Sequence, residues 1–236
     1  KILRDYITDQ ELYEKIVDRY ESKKSNEDLF IMSISMQNHG GYTEKYDNFD
    51  EKARMLGINY PDVNQYLSLI HESDSALEYL ISYFEKVDDP VEIVFFGDHQ
   101  PSLSSSFYPY LNGKGLSGLT LSELENLYTV PFFIWTNYDS GKESVELTSL
   151  NYLSTLALER AGIALPAYNQ FLADMMEEIP AVNSRGFYSK SQGKFLHVED
   201  AAGEDAKWLK NYEILQYNNM FDKRNKSGLF FPYLKQ

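Results

Sequence analysis

An aspartate and a histidine stand side by side directly after an apolar run. Asp98 and His99 follow the segment 91–96, which is predicted to be a buried strand, and Gly97 separates them from it. A hard carboxylate beside an imidazole is half of a reasonable ligand set for Zn²⁺ or Mn²⁺. The plainer alternative is a surface turn with a solvated histidine. Because a mononuclear site needs three or four protein ligands, this pair alone leaves both interpretations open.

The chain has four histidines, and the other three differ in their surroundings. His39 lies between Asn38 and two glycines, which let a backbone approach a ligand closely, so it could donate to a phosphoryl oxygen or protonate a leaving alkoxide. The alternative is a turn histidine without a role. His71 lies four residues after Leu67 on a predicted helix, where a buried structural histidine is the default interpretation. His197 is predicted to lie on a strand surface.

Three apolar runs and the helices between them would position these residues. The runs 29–35, 91–96 and 130–135 are predicted strands, and helices are predicted behind Thr8 and from Pro61. This alternation is typical of an α/β fold with a mostly parallel sheet and crossover helices. Ligands of such sheets bind outside the carboxyl ends of the strands. The topology would therefore place the loops that carry His39 and the Asp-His pair on one rim.

The helices carry recognisable start signals. Thr8 and Thr120 each open a capping box, and Pro61 suits a first helical position. The apolar stripe predicted for the helix from Pro61 consists of Val63, Leu67, Ile70, Leu77, Ile81 and Phe84. Residues 185–198 are predicted to form a hairpin around Gln192-Gly193, and residues 204–217 a last helix.

Composition excludes several classes of function. The formal net charge is −14, so the chain repels a phosphate backbone and nucleic acid is not an expected partner. The lack of cysteine removes disulfides, zinc–thiolate sites and cysteine nucleophiles. No apolar run approaches the ~20 residues that span a bilayer, and no signal peptide is visible. Neither a Walker A loop nor a dinucleotide fingerprint nor a nucleophile elbow occurs.

Two segments resemble motifs of one enzyme family. Segment 30–42, FIMSISMQNHGGY, is similar to the TMQNHGGY segment of lipoteichoic acid synthase-type proteins, the phosphoglycerol transferases among the alkaline phosphatase-like sulfatase-domain enzymes. Segment 94–101, VFFGDHQP, resembles their FFGDHQP metal-binding segment. The helix 66–80, PFFIWTNY at 131–138 and NYL at 151–153 also match. Several matches in one order are more specific than any single one.

The resemblance implies an alkaline phosphatase-like fold on the extracellular face of a bacterial membrane, with transmembrane anchors outside these 236 residues. It implies one divalent cation, Mn²⁺ first with Mg²⁺ or Zn²⁺ as alternatives, held by a Glu, a nucleophilic Thr and an Asp-His pair. Asp98 and His99 match that pair. His39 matches a substrate-contacting histidine, and His71 is assigned as a second. In the family the Thr attacks the phosphodiester of phosphatidylglycerol, and the glycerophosphoryl group passes to a growing polymer.

The sequence departs from the family pattern in two respects. The metal-ligand Glu and the nucleophilic Thr have no match here and are expected before residue 1, so this fragment alone is expected to be inactive. The family has an Arg shortly after its first histidine, and the spacing of Arg54 does not fit that position. By this resemblance residues 1–180 are the C-terminal part of the catalytic domain. Residues 181–236 are a C-terminal extension that packs on it.

The function expected is that of a metal-dependent phosphoglycerol transferase for cell-envelope polymer synthesis. Two alternatives remain open: a sulfatase or phosphoethanolamine transferase on the same fold, or a non-catalytic domain that binds polyol phosphate or a cell-wall partner. The expected partners are a phosphatidylglycerol-type headgroup, a polyol-phosphate acceptor and the missing N-terminal half of the domain. Without that half, exposed strand edges would favour self-association.

Overall fold

The computed structural model describes residues 1–222 and divides into two compact units. The first unit comprises Lys1–Val91 and His99–Gly118, and the second comprises Glu92–Asp98 and the chain from Leu119 onward. This division does not coincide with the boundary predicted at residue 180, which stays a prediction about the whole domain.

The first unit is built around two helices that pack against each other. Its elements in chain order are β1 (Ile2–Leu3), β2 (Tyr6–Ile7), α1 (Asp9–Glu21), α2 (Pro61–Phe84) and α3 (Phe107–Asn112), followed by a 3₁₀ turn at Leu116–Gly118. The antiparallel hairpin β1–β2 leads directly into α1. Its Leu3 joins a buried cluster with Tyr42 and Leu69, so the hairpin, the loop after residue 36 and α2 share one core.

The start of α1 is only half of the predicted capping box. The hydroxyl of Thr8 accepts a hydrogen bond from the backbone N–H of Glu11 at 3.2 Å, as predicted. In a complete box the Glu11 carboxylate would accept a hydrogen bond from the backbone N–H of Thr8. The backbone N–H of Thr8 donates to the Lys1 carbonyl at 3.2 Å instead. The reciprocal bond of the box is therefore replaced by a tie between the hairpin and the helix. The box at Thr120 is complete.

Helix α2 begins at Pro61 as predicted, but its buried face is rotated relative to the predicted stripe. Leu67 and Ile70 are exposed, whereas Leu69 is fully buried. The reason is that polar side chains in the first turns are buried under the preceding loop. The Ser68 hydroxyl, for example, accepts hydrogen bonds from two backbone N–H groups of that loop and donates to the carbonyl of Ala53.

The strand predicted at 29–35 is not formed in the structure. The segment has no regular secondary structure, and no strand among residues 1–222 pairs with it. Phe30, Met32 and Ile34 are consequently 90%, 73% and 72% exposed. An isolated apolar run cannot satisfy its backbone groups or bury its side chains, so it becomes a strand only when a neighbouring strand is present.

Up to residue 222, the second unit combines two antiparallel strand pairs with four helices. Its elements are β3 (Glu92–Phe96), α4 (Leu121–Glu125), β4 (Phe132–Thr136), α5 (Leu153–Arg160), α6 (Ala167–Glu178), β5 (Gly186–Ser189), β6 (Lys194–His197) and α7 (Gly203–Met220), with 3₁₀ turns at Asn126–Tyr128, Leu150–Tyr152 and Val198–Asp200. Its core consists of Tyr152, Leu172, Met175, Ile179 and Phe187. The predicted C-terminal hairpin and last helix are both present as β5–β6 and α7.

The predicted mostly parallel sheet is not formed within residues 1–222. β3 pairs with β4 in antiparallel register, from Glu92 opposite Thr136 to Phe96 opposite Phe132. Every strand pair within residues 1–222 is antiparallel and two-stranded. The segment that would have supplied a parallel neighbour, 29–35, remains unpaired, so these residues do not form the mostly parallel sheet. Within these residues no parallel sheet therefore gathers the loops of His39 and of Asp98-His99 on a common rim.

Candidate functional site

Gly97 brings the chain closely past Val130 at the end of β3. Its N–H donates to the carbonyl of Pro131 at 3.0 Å, which adds one bond to the β3–β4 ladder. A Cβ at Gly97 would lie 3.0 Å from the Cβ of Val130, which is closer than most side-chain contacts in proteins. The glycine therefore lets the strand end pack tightly. It places Asp98 directly after the last ladder bond, with its side chain exposed.

His99 is exposed, and its ring has a local hydrogen bond that orients it. The Nδ1 atom lies 2.9 Å from the backbone carbonyl of Gln100. A carbonyl can only accept, so Nδ1 carries the proton. In the neutral ring the lone pair is then on Nε2, the nitrogen through which such a histidine would ligate a metal. A carbonyl partner of this kind is typical of metal-ligating histidines.

The Asp98-His99 pair fits one half of a metal-ligand shell. Its carboxylate and imidazole are donors that Mn²⁺ and Zn²⁺ accept. Within residues 1–222, however, no group of three or more His, Asp or Glu side chains is arranged to hold a metal ion. The described residues therefore include the Asp-His pair that the resemblance assigns to this chain. They do not include a complete set of metal ligands.

The loop that carries His39 is a tight turn with a buried base. The His39 N–H donates to the carbonyl of Met36 at 3.0 Å, which closes the turn. Gln37 is buried, and its side-chain amide donates to the Ser73 hydroxyl on α2 at 3.1 Å. Asn38 donates to the same hydroxyl at 2.8 Å. Gln37 and Asn38 thus anchor the turn, and His39 is left exposed at its tip.

A buried carboxylate lies beneath this turn. Asp9, the first residue of α1, accepts a hydrogen bond from Ser73 and donates its backbone N–H to the side-chain oxygen of Gln37. Burial raises the pKa of Asp9, and hydrogen bonds from Ser73 and Ser35 partly offset that rise. In the sequence Asp9 is merely part of a capping signal, and nothing in its neighbours indicates that it would be buried against α2.

Arg4 is a second residue whose role the sequence did not indicate. It lies in the turn between β1 and β2 and is buried. Its guanidinium donates to the carbonyls of His39 and Gly40 at 2.9 and 3.3 Å. Arg54, which the sequence analysis compared with the family's arginine, is exposed in a loop. Because the contact joins residues 35 positions apart, only the tertiary structure reveals it.

His71 and His197 lie on the surface. His71 is exposed on α2, so the interpretation as a buried structural histidine is wrong. Its substrate-contacting role stays a prediction. His197 is the last residue of β6 and is exposed, which agrees with the predicted strand-surface position. Within residues 1–222 no helix is both long enough and apolar enough to cross a membrane.

Helices and paired strands make this an α/β protein, and its segments around His39 and Asp98 are the motifs that carried the sulfatase-type resemblance. The sulfatase family matches residues 3–163, more than half of the chain, so the chain belongs to the sulfatase family.

Among solved structures, the chain is similar to Streptococcus pyogenes phosphoglycerol transferase GacH in complex with sn-glycerol-1-phosphate. The TM-score is 0.63 and the identity 19%, with 92% of this chain and 50% of that chain covered. At this identity the likeness shows a shared fold.

Two curated relatives come from Rhizobium meliloti. A putative cyclic beta-1,2-glucan modification protein is 22% identical over 96% of this chain and 36% of its own length. The capsular polysaccharide biosynthesis protein RkpI is 34% identical over 44% of this chain and 18% of its own length. The chain thus spans about a third or less of the length of these relatives.

Proposed function

We propose that the protein containing this chain is a metal-dependent phosphoglycerol transferase that modifies or builds a cell-envelope polysaccharide. The observation that carries the proposal is the Asp98-His99 pair at the end of β3, in a sulfatase-family fold similar to a phosphoglycerol transferase with sn-glycerol-1-phosphate bound. The names of the two Rhizobium meliloti relatives support a glycan acceptor. The proposed donor is a phosphatidylglycerol-type lipid, and the proposed location is the outer face of the cell membrane.

Asp98 and His99 would hold the divalent cation, Mn²⁺ in our proposal, through a carboxylate oxygen and Nε2. When bound, such an ion polarises the phosphoryl oxygens and makes an alkoxide nucleophile available near neutral pH. The remaining ligands and the nucleophile are proposed to come from polypeptide outside this chain. The same polypeptide would provide the strands that complete a mostly parallel sheet with the run 29–35.

His39 has the geometry of a proton donor to the substrate. It is exposed at the tip of a turn whose base is fixed on α1 and α2. Its ring can therefore contact a ligand while the loop backbone stays in place. A proton on Nε2 can be donated to a phosphoryl oxygen, or to the oxygen of the leaving glycerol as the phosphodiester breaks. His71 is proposed as a further contact to the polyol.

The full-length gene product tests this function. With phosphatidylglycerol and Mn²⁺ it should release diacylglycerol and label a glycan acceptor with phosphoglycerol. Asp98→Ala and His99→Ala should each abolish the release, whereas Asp88→Ala, an exposed aspartate after α2, should not. Release of sulfate from a sulfate ester, or transfer of phosphoethanolamine, would replace the proposal with one of the related activities. Binding of glycerol phosphate without any turnover would favour a non-catalytic domain.

The 236-residue chain alone should show no turnover, because its described part holds only half of a ligand shell. Measurable Mn²⁺-dependent hydrolysis of a chromogenic phosphodiester by the purified chain would contradict the placement of the nucleophile outside it.

A further inference from the structure

The hairpin β1–β2 carries a strained arginine directly against the His39 turn. Arg4 has φ +55°, a left-handed conformation that is uncommon for a residue with a side chain. It is only 2% exposed, although arginine is rarely buried. Strained conformations of this kind persist where the surrounding structure holds them in place. At Arg4, a hydrogen bond from the Asn48 side chain to its carbonyl at 3.0 Å is part of that support.

The guanidinium of Arg4 is held by carbonyls and aromatic rings. It donates to the His39 and Gly40 carbonyls, and it lies 5.4 to 5.7 Å from the ring centres of Tyr6, Tyr42 and Tyr46. Within residues 1–222 no carboxylate lies at ion-pair distance from it. The positive charge is therefore directed at the backbone of the His39 turn, and the tyrosine rings stabilise it there.

Tyr6 contacts the imidazole of His39 itself. Its hydroxyl oxygen lies 3.1 Å from Nδ1, and the two ring centres are 5.6 Å apart. Either partner could donate in this hydrogen bond. A phenol O–H is a stronger hydrogen-bond donor than an imidazole N–H, and an unprotonated imidazole nitrogen is a stronger acceptor than a phenol oxygen. The Tyr6 hydroxyl therefore donates to Nδ1, and the neutral imidazole carries its own proton on Nε2.

We infer that Arg4 and Tyr6 are positioning residues that hold the His39 turn in place and fix its ring in the Nε2-protonated tautomer. The inference about the tautomer rests on the geometry of the hairpin. Its catalytic consequence rests on the proposed function, because only a protonated Nε2 can donate to a phosphoryl oxygen or to a leaving alkoxide. Arg4 fixes the backbone of the turn, and Tyr6 fixes the proton.

Long-range ¹H–¹⁵N correlation NMR of the ¹⁵N-labelled 236-residue chain tests the tautomer without any assay of activity. At a pH where the ring is neutral, His39 should show a protonated Nε2 and an unprotonated Nδ1. Spectra of His39→Gln identify its signals. In Tyr6→Phe the two nitrogen shifts should move towards each other, because the tautomers are then mixed. Tyr46→Phe removes a hydroxyl from the same aromatic group without touching His39 and should leave the shifts unchanged.

Two results would overturn the inference. One is a wild-type His39 protonated on Nδ1, and the other is an unchanged tautomer in a folded Tyr6→Phe variant. Arg4→Lys keeps the charge but loses the planar guanidinium, whose Nη2 donates to both carbonyls and which lies over the tyrosine rings. It should broaden or split the amide signals of His39 and Gly40. Unchanged signals would show that Arg4 does not fix the backbone of the turn.

A kinetic comparison in the full-length gene product then links the tautomer to transfer. Tyr6→Phe should lower kcat roughly 10-fold, as loss of a partner that orients a functional histidine does, with KM little changed. Tyr46→Phe should leave kcat unchanged. If the wild-type gene product transfers no phosphoglycerol, the proposed function fails while the NMR result still stands. If transfer occurs and kcat is insensitive to Tyr6→Phe, the catalytic part of the inference fails.

Discussion

The hydroxyl of Ser73 donates to the carboxylate of Asp9 at 2.5 Å, which joins the middle of α2 to the first residue of α1. The same hydroxyl accepts from the amides of Gln37 and Asn38, so one side chain links both helices to the turn that carries His39. This link explains how an irregular loop can present a histidine reproducibly. The carboxylate of Asp9 in this link is buried, so the stability of the link depends on pH.

Asp9→Asn should reduce the pH dependence of stability. Burial raises the pKa of Asp9 in the folded state above the ordinary value of 3.8, so the folded protein binds this proton more tightly than the unfolded chain. The resulting stability is fully present below that value and is lost as the pH rises through the raised pKa. Asparagine still accepts from Ser73 and carries no charge, so it avoids this loss. Urea unfolding at pH 4, 5.5 and 7 should show that the free energy of unfolding of Asp9→Asn rises relative to that of the wild type as the pH increases.

Asp88→Asn, at an exposed aspartate, is the control. Parallel pH profiles of stability for Asp9→Asn and wild type would contradict the raised pKa of Asp9.

Asp98→Ala and His99→Ala should lose metal without losing the fold. Both side chains are exposed and lie beyond the last residue of β3, so their truncation leaves no core cavity. Loss of a ligand should lower Mn²⁺ occupancy of the full-length gene product by at least about 10-fold, with thermal stability in the presence of chelator unchanged. Metal content by mass spectrometry beside a thermal melt measures both. Full occupancy in the two variants would make the surface-turn interpretation the better one.

Gly97→Ala should destabilise the second unit and displace Asp98. The new methyl group would lie 3.0 Å from the Val130 Cβ and 3.4 Å from its Cγ1, so Val130 must move away by a few tenths of an ångström. Overpacking of this kind costs about 1–3 kcal/mol. The free energy of unfolding in denaturant should fall by that amount, whereas Gly115→Ala, with open space around it, should change it by less than about 0.5 kcal/mol. Equal stability of the two variants would show that the strand end is loosely packed.

The 236-residue chain should self-associate through its exposed apolar run. Phe30, Met32 and Ile34 are unpaired with any strand in the described residues, and the hairpin β5–β6 pairs with itself rather than extending β3–β4. Contiguous apolar surface and free strand edges promote pairing with another chain. Light scattering should report dimers or larger species at micromolar concentration. Met32→Lys with Ile34→Lys should shift the chain towards monomer, and a monodisperse wild-type monomer would contradict this prediction.

His39→Ala and His71→Ala should differ from the metal-ligand variants. In His39→Ala the metal should remain while transfer slows by roughly 10²–10⁴-fold, as expected for loss of a general acid. His71 is exposed, so its replacement should change stability by less than about 0.5 kcal/mol. A slower transfer in His71→Ala would confirm that it contacts the substrate. Normal transfer would leave it as a surface residue of α2.

The sequence by itself determined the features that depend on near neighbours. The cap at Thr8, the helix start at Pro61, the complete box at Thr120 and the C-terminal hairpin all follow from local backbone chemistry. The ordered motifs around His39 and Asp98 also identified the family, which the match over residues 3–163 confirms.

Only the tertiary structure decided how the strands pair and which side chains contact the candidate residues. Whether the apolar run 29–35 becomes a strand depends on a partner strand, and the direction of β4 relative to β3 depends on how the connection folds; neither is encoded in local periodicity. The face that α2 buries was set by the polar loop that its first turns bind. The approach of Arg4 and Tyr6 to His39 joins residues more than 30 positions apart. Contacts at that separation depend on the packing of the hairpin, the turn and both helices together, which no single segment specifies.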